Sequence, residues 1–141
     1  MSFSYLDHEA DVGVVGTGST IEEAFEQGAL AVLDLMADVR GVRETVERKL
    51  DCQAPELPML FVELINELLA ERDIADLLFA RITIALLERS DVGYHLRARA
   101  YGEPIDPHRH ELRTEVKAAT YSGLQFEKIE GMYRVQCVVD V

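Results

Sequence analysis

The chain has 141 residues, of which 48% are hydrophobic and 28% charged, a length and balance that suit one domain built on a single buried core. Its 26 acidic side chains outnumber 14 basic ones, for a formal net charge of −12. That excess repels phosphates, so it argues against direct, tight binding of RNA or DNA. It suits a cation or a basic protein partner, with plain solubility as the alternative meaning.

The opening MSFSYLDHEAD carries acids and no basic n-region, unlike a secretory signal peptide. No apolar stretch in the sequence approaches the length that crosses a membrane. The two cysteines, Cys52 and Cys137, form no C-x-x-C pair, which fits a reducing, cytoplasmic setting without a membrane. Cys137 sits in an apolar run and reads as a small core residue rather than a nucleophile.

In chain order, LDHEADV reads as a strand or a bend within one, on which Asp7, Glu9 and Asp11 share one parity. A helix follows from about Thr20 to Met36, with Ile21, Ala24, Phe25, Gly28 and Val32 at helical spacing. Ser19/Glu22 and Thr20/Glu23 both match the capping-box pattern, and the early acids suit the positive helix start. TGSTIEEAF is a poor phosphate loop, because it lacks the lysine and the longer glycine pattern. VRGVRETVERKLDCQA reads as a loop feeding a strand. A second helix, about Glu56 to Arg72, opens at Pro55 and Pro58. It carries Leu57, Leu60, Phe61, Leu64, Ile65, Leu68 and Leu69 in a near-unbroken i, i+3, i+4, i+7 pattern.

The rest is strand-rich. Leu78–Leu87 is apolar, and YHLRARAY alternates so that His95, Arg97 and Arg99 oppose Leu96, Ala98 and Ala100. GEPIDPHRHELRTEV, with its prolines and glycine, reads as a long solvated loop. Its His108 and His110 have no third nitrogen or sulfur ligand in view to make a transition-metal site. Strands follow at about Glu115–Tyr121 and Leu124–Ile129, then a Glu130-Gly131 hairpin turn and Tyr133–Val141. The expected fold is α+β, a single domain over residues 1–141 with two amphipathic helices packed on mainly antiparallel β-sheet.

Acids occupy both extremes of this sequence. In the final strand Asp140 falls on the more polar parity, with the carboxylate of Val141 next to it. If the first and last strands are neighbours, several anionic oxygens converge, which is unfavourable unless a proton or cation neutralises them. Oxygen donors fit Ca²⁺ or Mg²⁺. Acids capping ordinary turns are the alternative, and His8 by itself reads as a hydrogen-bonded structural histidine.

Three separated segments in the right order give a resemblance: YLDHEADVGVVGTGSTIEEAFEQGALAVLDLMAD, then GEPIDPHRHELRTEVKAATYSGLQFEK, then YRVQCVVDV. Together they resemble the archease family over essentially the whole chain. The resemblance implies a protein cofactor, not itself an enzyme, that assists an RtcB-type RNA ligase in tRNA splicing and RNA repair. That ligase joins 3′-phosphate or 2′,3′-cyclic phosphate ends to 5′-hydroxyl ends. The family role is to promote guanylylation of the ligase by GTP, and hence multiple turnover, with tRNA met indirectly through the ligase. The resemblance further implies a metal site, calcium above all with Mg or Mn as alternatives, at Asp11, Asp140 and Val141. His8, Glu115 and Lys117 are the partner-binding or supporting candidates, and a cross-strand charge pair is the alternative for Glu115 and Lys117. Glu9, Ser122 and Tyr133 depart from the family's usual threonine, histidine and tryptophan. Two rival functions remain open. One is a metal-dependent phosphoester hydrolase with His8 as base. The other is a general chaperone that uses the acidic surface.

Overall fold

The computed structural model describes residues 2–7 and 11–141. Seven strands and two α-helices follow one another in these residues: β1 (Ser2–Asp7), β2 (Asp11–Gly18), α1 (Ile21–Met36), β3 (Val46–Ala54), α2 (Leu57–Ala75), β4 (Leu77–Ser90), β5 (Gly93–Pro104), β6 (Ala118–Ile129) and β7 (Met132–Asp140). They form two antiparallel sheets, one in the order β1-β2-β7-β6 and the other β3-β5-β4. The expected α+β class with helices on antiparallel sheet is what the chain adopts.

The helices lie between the sheets. α1 packs on β1, β2 and β7 of the first sheet and on β4 of the second; α2 packs on β6 and β7 of the first and on β3, β4 and β5 of the second. A helix covered on two sides must be apolar around most of its circumference. α2 meets that demand with Leu60, Phe61, Val62, Leu64, Ile65, Leu68 and Leu69 all buried. Phe25 of α1 meets Phe61 of α2 with ring centroids 5.3 Å apart, and Phe126 of β6 meets Phe25 edge-on at 6.4 Å. These three rings join both helices and the first sheet in one core.

Local signals set the element ends. Thr20 is the N-cap of α1, and its hydroxyl accepts from the Glu23 amide at 3.0 Å. The Glu23 carboxylate reaches back to the Ser19 amide at 2.8 Å and hydroxyl at 2.7 Å. This is a capping box displaced by one residue at its return bond. α2 opens on Glu56 with proline in its first turn and closes on Asp76 in the left-handed region at φ 51°. Tyr5 ties β1 to α1 by donating to the Ala31 carbonyl at 3.1 Å and to Asp34 Oδ2 at 3.2 Å. Burial, followed by the Asp34 charge, pushes its phenol pKa up.

Two sequence expectations need correction. LDHEADV is not one strand: Asp7 ends β1 and Asp11 begins β2, and the antiparallel register pairs Asp7 with Val12. Parity cannot be carried from one to the other, and His8 and Glu9 lie outside the described residues. The two strands expected at Glu115–Tyr121 and Leu124–Ile129 are one strand, starting at Ala118 and bulged between Thr120 and Gln125. Gly123 supplies the bulge with φ 60°, a conformation costly for residues with a Cβ. The Glu130-Gly131 turn has φ 52° and 80°, the doubly positive pattern of the tight hairpin turns.

At Gly16 of β2 the backbone of α1 lies directly against the first sheet. A Cβ there would strike the backbone of Ala24 and Gly28, with Gly28 Cα at 2.7 Å. Backbone cannot turn aside as a flexible side chain does, so Gly16→Ala forces the helix off the sheet. The expected loss is about 1–3 kcal/mol or more, read as a lowered Tm in a thermal melt followed by circular dichroism; an unchanged Tm would show that α1 is free to shift.

Candidate functional site

β7 lies in the middle of the first sheet, paired with β2 on one side and β6 on the other. Its inward residues Val135, Cys137 and Val139 are fully buried. Burial also pushes the Cys137 thiol up to about 12, which keeps it protonated and inert. Asp140, on the other parity, is exposed. The register places Asp11 of β2 directly opposite Asp140, and Ala118 of β6 opposite it on the far side. Val141 follows, half-buried and packed against the core.

Directly opposed residues in an antiparallel pair have Cβ atoms about 4.5–5.5 Å apart and project to one face. Two aspartates in those positions repel each other. Their donors are all oxygen, the chemistry that suits a hard divalent cation rather than zinc or copper. Among the described residues no three histidine, cysteine, aspartate or glutamate side chains gather into a metal cage. The structure thus brings together the positions of Asp11, Asp140 and Val141. His8, expected beside them, lies outside the described residues.

Lys117 and Glu115 precede β6 rather than lying within it. The Lys117 amide donates to the Asp140 carbonyl at 2.8 Å, so this segment continues the ladder at the Asp11–Asp140 end. Both side chains are exposed, and between them Val116 is fully buried. Among the described residues neither makes an ion pair, so the alternative of a cross-strand charge pair between them is not what holds them. Glu115 instead borders a recess of about 280 Å³ lined by Met36, Arg72, Leu78, Ile105 and Leu112. Of the departures from the family pattern, Ser122 sits exposed in the β6 bulge. Tyr133 lies at the far end of β7, opposite Gly18, stacked on Phe126 at 6.0 Å.

Most of the GEPIDPHRHELRTEV segment is the exposed loop that its composition predicts, but its first residues end β5 and it carries a buried anchor. His110 is buried, and its Nδ1 accepts from the Asp106 amide at 2.9 Å. Nε2 therefore carries the ring proton, 3.0 Å from Glu103 Oε2. The same carboxylate pairs with Arg109 and accepts from the Arg43 amide at 2.6 Å. Arg109 first, then Arg43, then His110 hold the Glu103 carboxyl down to about 2. Downstream, the loop bonds along the end of α1, from the Arg113 amide to the Met36 carbonyl at 2.8 Å and from Thr114 to Leu35 at 2.9 Å. A polar loop thus carries a buried anchor that delivers the chain to Lys117. Sequence reasoning missed Glu103 and Arg109; the available signal was the E-x₅-R-H spacing, which is too short a pattern to stand out.

The model of the archease protein family (MTH1598/TM1083) matches residues 3–141. This chain belongs to the archease family. Protein archease of Pyrococcus furiosus is 38% identical over 140 residues, covering 99% of this chain and 98% of its own. The solution structure of Methanobacterium thermoautotrophicum protein 1598 superposes with a TM-score of 0.87 at 31% identity, covering 99% of both chains. An archease from Thermotoga maritima, described as a possible chaperone, shares the fold with a TM-score of 0.63 at 21% identity. The chain covers nearly the full length of both the Pyrococcus relative and the Methanobacterium structure. Among the described residues no helix is long and apolar enough to cross a membrane.

The Glu103 anchor gives a signed pH dependence. Its carboxyl falls from an ordinary 4.5 to about 2 in the folded state. It therefore contributes stability above about pH 4.5 that disappears as pH falls toward 2. Glu103→Gln should lower the urea midpoint at pH 7, and the gap to wild type should close between about pH 4.5 and 2. A gap that persists unchanged at pH 2 would assign the effect to packing instead of charge.

Proposed function

We propose that this archease-family chain is a non-catalytic protein cofactor of an RtcB-type RNA ligase, promoting guanylylation of the ligase and hence repeated turnover in tRNA splicing and RNA repair. The observation that supports the reading is the opposition of Asp11 and Asp140 at the end of the β2–β7–β6 ladder, at the positions where the family resemblance implies a divalent cation. Asp11 and Asp140 would hold the cation, with the Val141 carboxylate as third donor; calcium is the proposed metal, Mg or Mn the alternatives. When bound, the cation neutralises the opposed carboxylates and leaves the local surface less negative.

The chain's own residues do the rest. Asp11 and Asp140 stand at the ends of two adjacent strands, and the Lys117 amide bonded to the Asp140 carbonyl fixes the exposed Glu115–Lys117 segment to the same ladder. This end then presents one rigid surface of mixed charge to the ligase. An activator must bind the competent state of its enzyme better than the incompetent state. A preordered surface loses little entropy on docking, so its binding energy can be spent on that discrimination.

Two measurements test the reading. Calcium at about a hundred times its Kd should stabilise the wild-type chain by about 2.7 kcal/mol, a Tm rise of roughly 10 °C for a chain of this size. Asp140→Asn should lose that response, yet its calcium-free Tm should equal or slightly exceed wild type, because a repulsive cross-strand pair has gone. An equal calcium response in the variant would remove the metal assignment. Separately, RNA sealing by a cognate ligase with RNA and GTP in excess should pass from a single turnover to many when the chain is added. Asp140→Asn should not support this, and Lys117→Ala should weaken it. Sealing that is indifferent to the wild-type chain would overturn the activator reading.

A further inference from the structure

The second sheet turns one face to the helices and the other to solvent. On the solvent face the register sets Lys49 of β3 directly opposite Arg99 of β5, and Asp51 opposite Arg97. Lys49, Arg97 and Arg99 thus lie side by side on one face, in a chain with 26 acids and only 14 bases. With almost two acids for each base, setting two cations directly opposite one another is the arrangement chance least favours, and it opposes stability.

These three residues border a recess of about 350 Å³, completed by Leu50, Asp51, Ala85 and Ala98. Ala85 is the extra residue of a bulge in β4, where the register slips between Ile84 and Leu86. Bulges concentrate beside sites because they re-aim neighbouring residues. This one is held from the helix side: the Ile84 amide donates to Glu26 Oε2 of α1 at 2.8 Å. A small side chain at the bulge leaves the floor of the recess open.

The acids nearby steady the arginines without filling the recess. Arg97 uses Nε to reach Asp51 Oδ2 at 3.2 Å, and Arg99 uses Nε to reach Glu47 Oε1 at 3.2 Å. Among the described residues the terminal Nη donors of both guanidiniums have no protein acceptor, and Lys49 has no ion-pair partner. Asp51 is further engaged by His95 Nε2 at 2.8 Å, which shares its charge away from Lys49. Exposed ion pairs of this kind are weak and readily exchanged.

We propose that the Lys49–Arg97–Arg99 recess binds a phosphate group. Two guanidinium forks and an ammonium around one cleft match the tetrahedral oxygens of phosphate, with bidentate donation from the arginines and a point charge from the lysine. Arg97 and Arg99 repeat along β5 at about 6.6 Å, close to the separation of successive phosphates in a nucleic-acid strand. A free phosphate or nucleotide and a polynucleotide backbone share this chemistry. The overall negative charge keeps such binding weak unless other contacts support it. The recess lies on the other sheet from the Asp11–Asp140 ladder, so this inference does not rest on the ligase reading.

The test follows backbone amide shifts of the labelled chain by NMR at low salt, titrated with inorganic phosphate, with GTP and with a short single-stranded RNA. Saturable shifts should fall on residues 49–51, 85 and 97–99. Lys49→Glu should weaken binding at least tenfold. Lys128→Glu, an exposed change of equal charge on the first sheet, should leave it within about twofold. Tighter binding of RNA than of phosphate assigns a polynucleotide backbone; equal binding assigns a free phosphate group. Absence of saturable shifts at the recess with all three probes, or equal weakening by both variants, overturns the proposal.

Discussion

The position of β7 governs this molecule. The last strand of the sequence is not at the margin of its sheet but in the centre, hydrogen-bonded to β2 and β6 along its length. Three consequences follow from that one placement. Val135, Cys137 and Val139 are driven into the core under the helices. Residues far apart in sequence, Asp11 and Asp140, become direct neighbours. The loop after β5 must return along α1 to reach the open side of β7, which brings Lys117 to the same end. A central strand can break its pairing only by opening the sheet on both sides, so whatever sits at its end inherits the stability of the whole ladder.

The helix layer explains the amino-acid economy. Two sheets clamp α1 and α2, so apolar residues concentrate in the helices and on one face of each strand. Charge gathers on the outer faces, although Val15 and Val138 are buried on that side of the first sheet. The sheets use it differently: the first sheet carries an acid–acid opposition at Asp11–Asp140, the second a base–base opposition at Lys49–Arg99. Each defies the pairing that would stabilise a bare sheet. Sites where local rules are broken are where function is to be sought.

Much of this was legible in the sequence, for physical reasons that differ by element. α1 announced itself because Thr20 and Glu23 cap it and one face is periodic; α2 because leucines recur without interruption. β7 was legible through alternation, and with it the orientation of Asp140. The layer order was not legible: an apolar helix looks alike whether one sheet covers it or two. The antiparallel pairing of β1 with β2 escaped because parity was carried from Asp7 to Asp11 as if both lay on one strand. His110 escaped because burial of a histidine depends on Glu103, seven positions earlier and tied to Arg109 and Arg43, and no local pattern records that partnership. The metal candidates rested on the likeness to a family together with the acids at both ends, and strand pairing supplied their adjacency.

The bulge in β6 has a further effect. β6 is an outer strand, and between Thr120 and Gln125 its pairing with β7 is interrupted, with Gly123 at φ 60° turning the backbone. The Gly123 carbonyl there accepts from Gln136 Nε2 at 3.1 Å and so points back into its own molecule. A straight outer strand would offer a continuous row of amides and carbonyls to any passing extended chain. β4, an outer strand of the other sheet, is broken twice in the same way, at Phe79/Arg81 and Ile84/Leu86. On each sheet, one of the two outer strands therefore gives a foreign strand no unbroken template, and this resists the edge-to-edge stacking by which β-rich proteins polymerise.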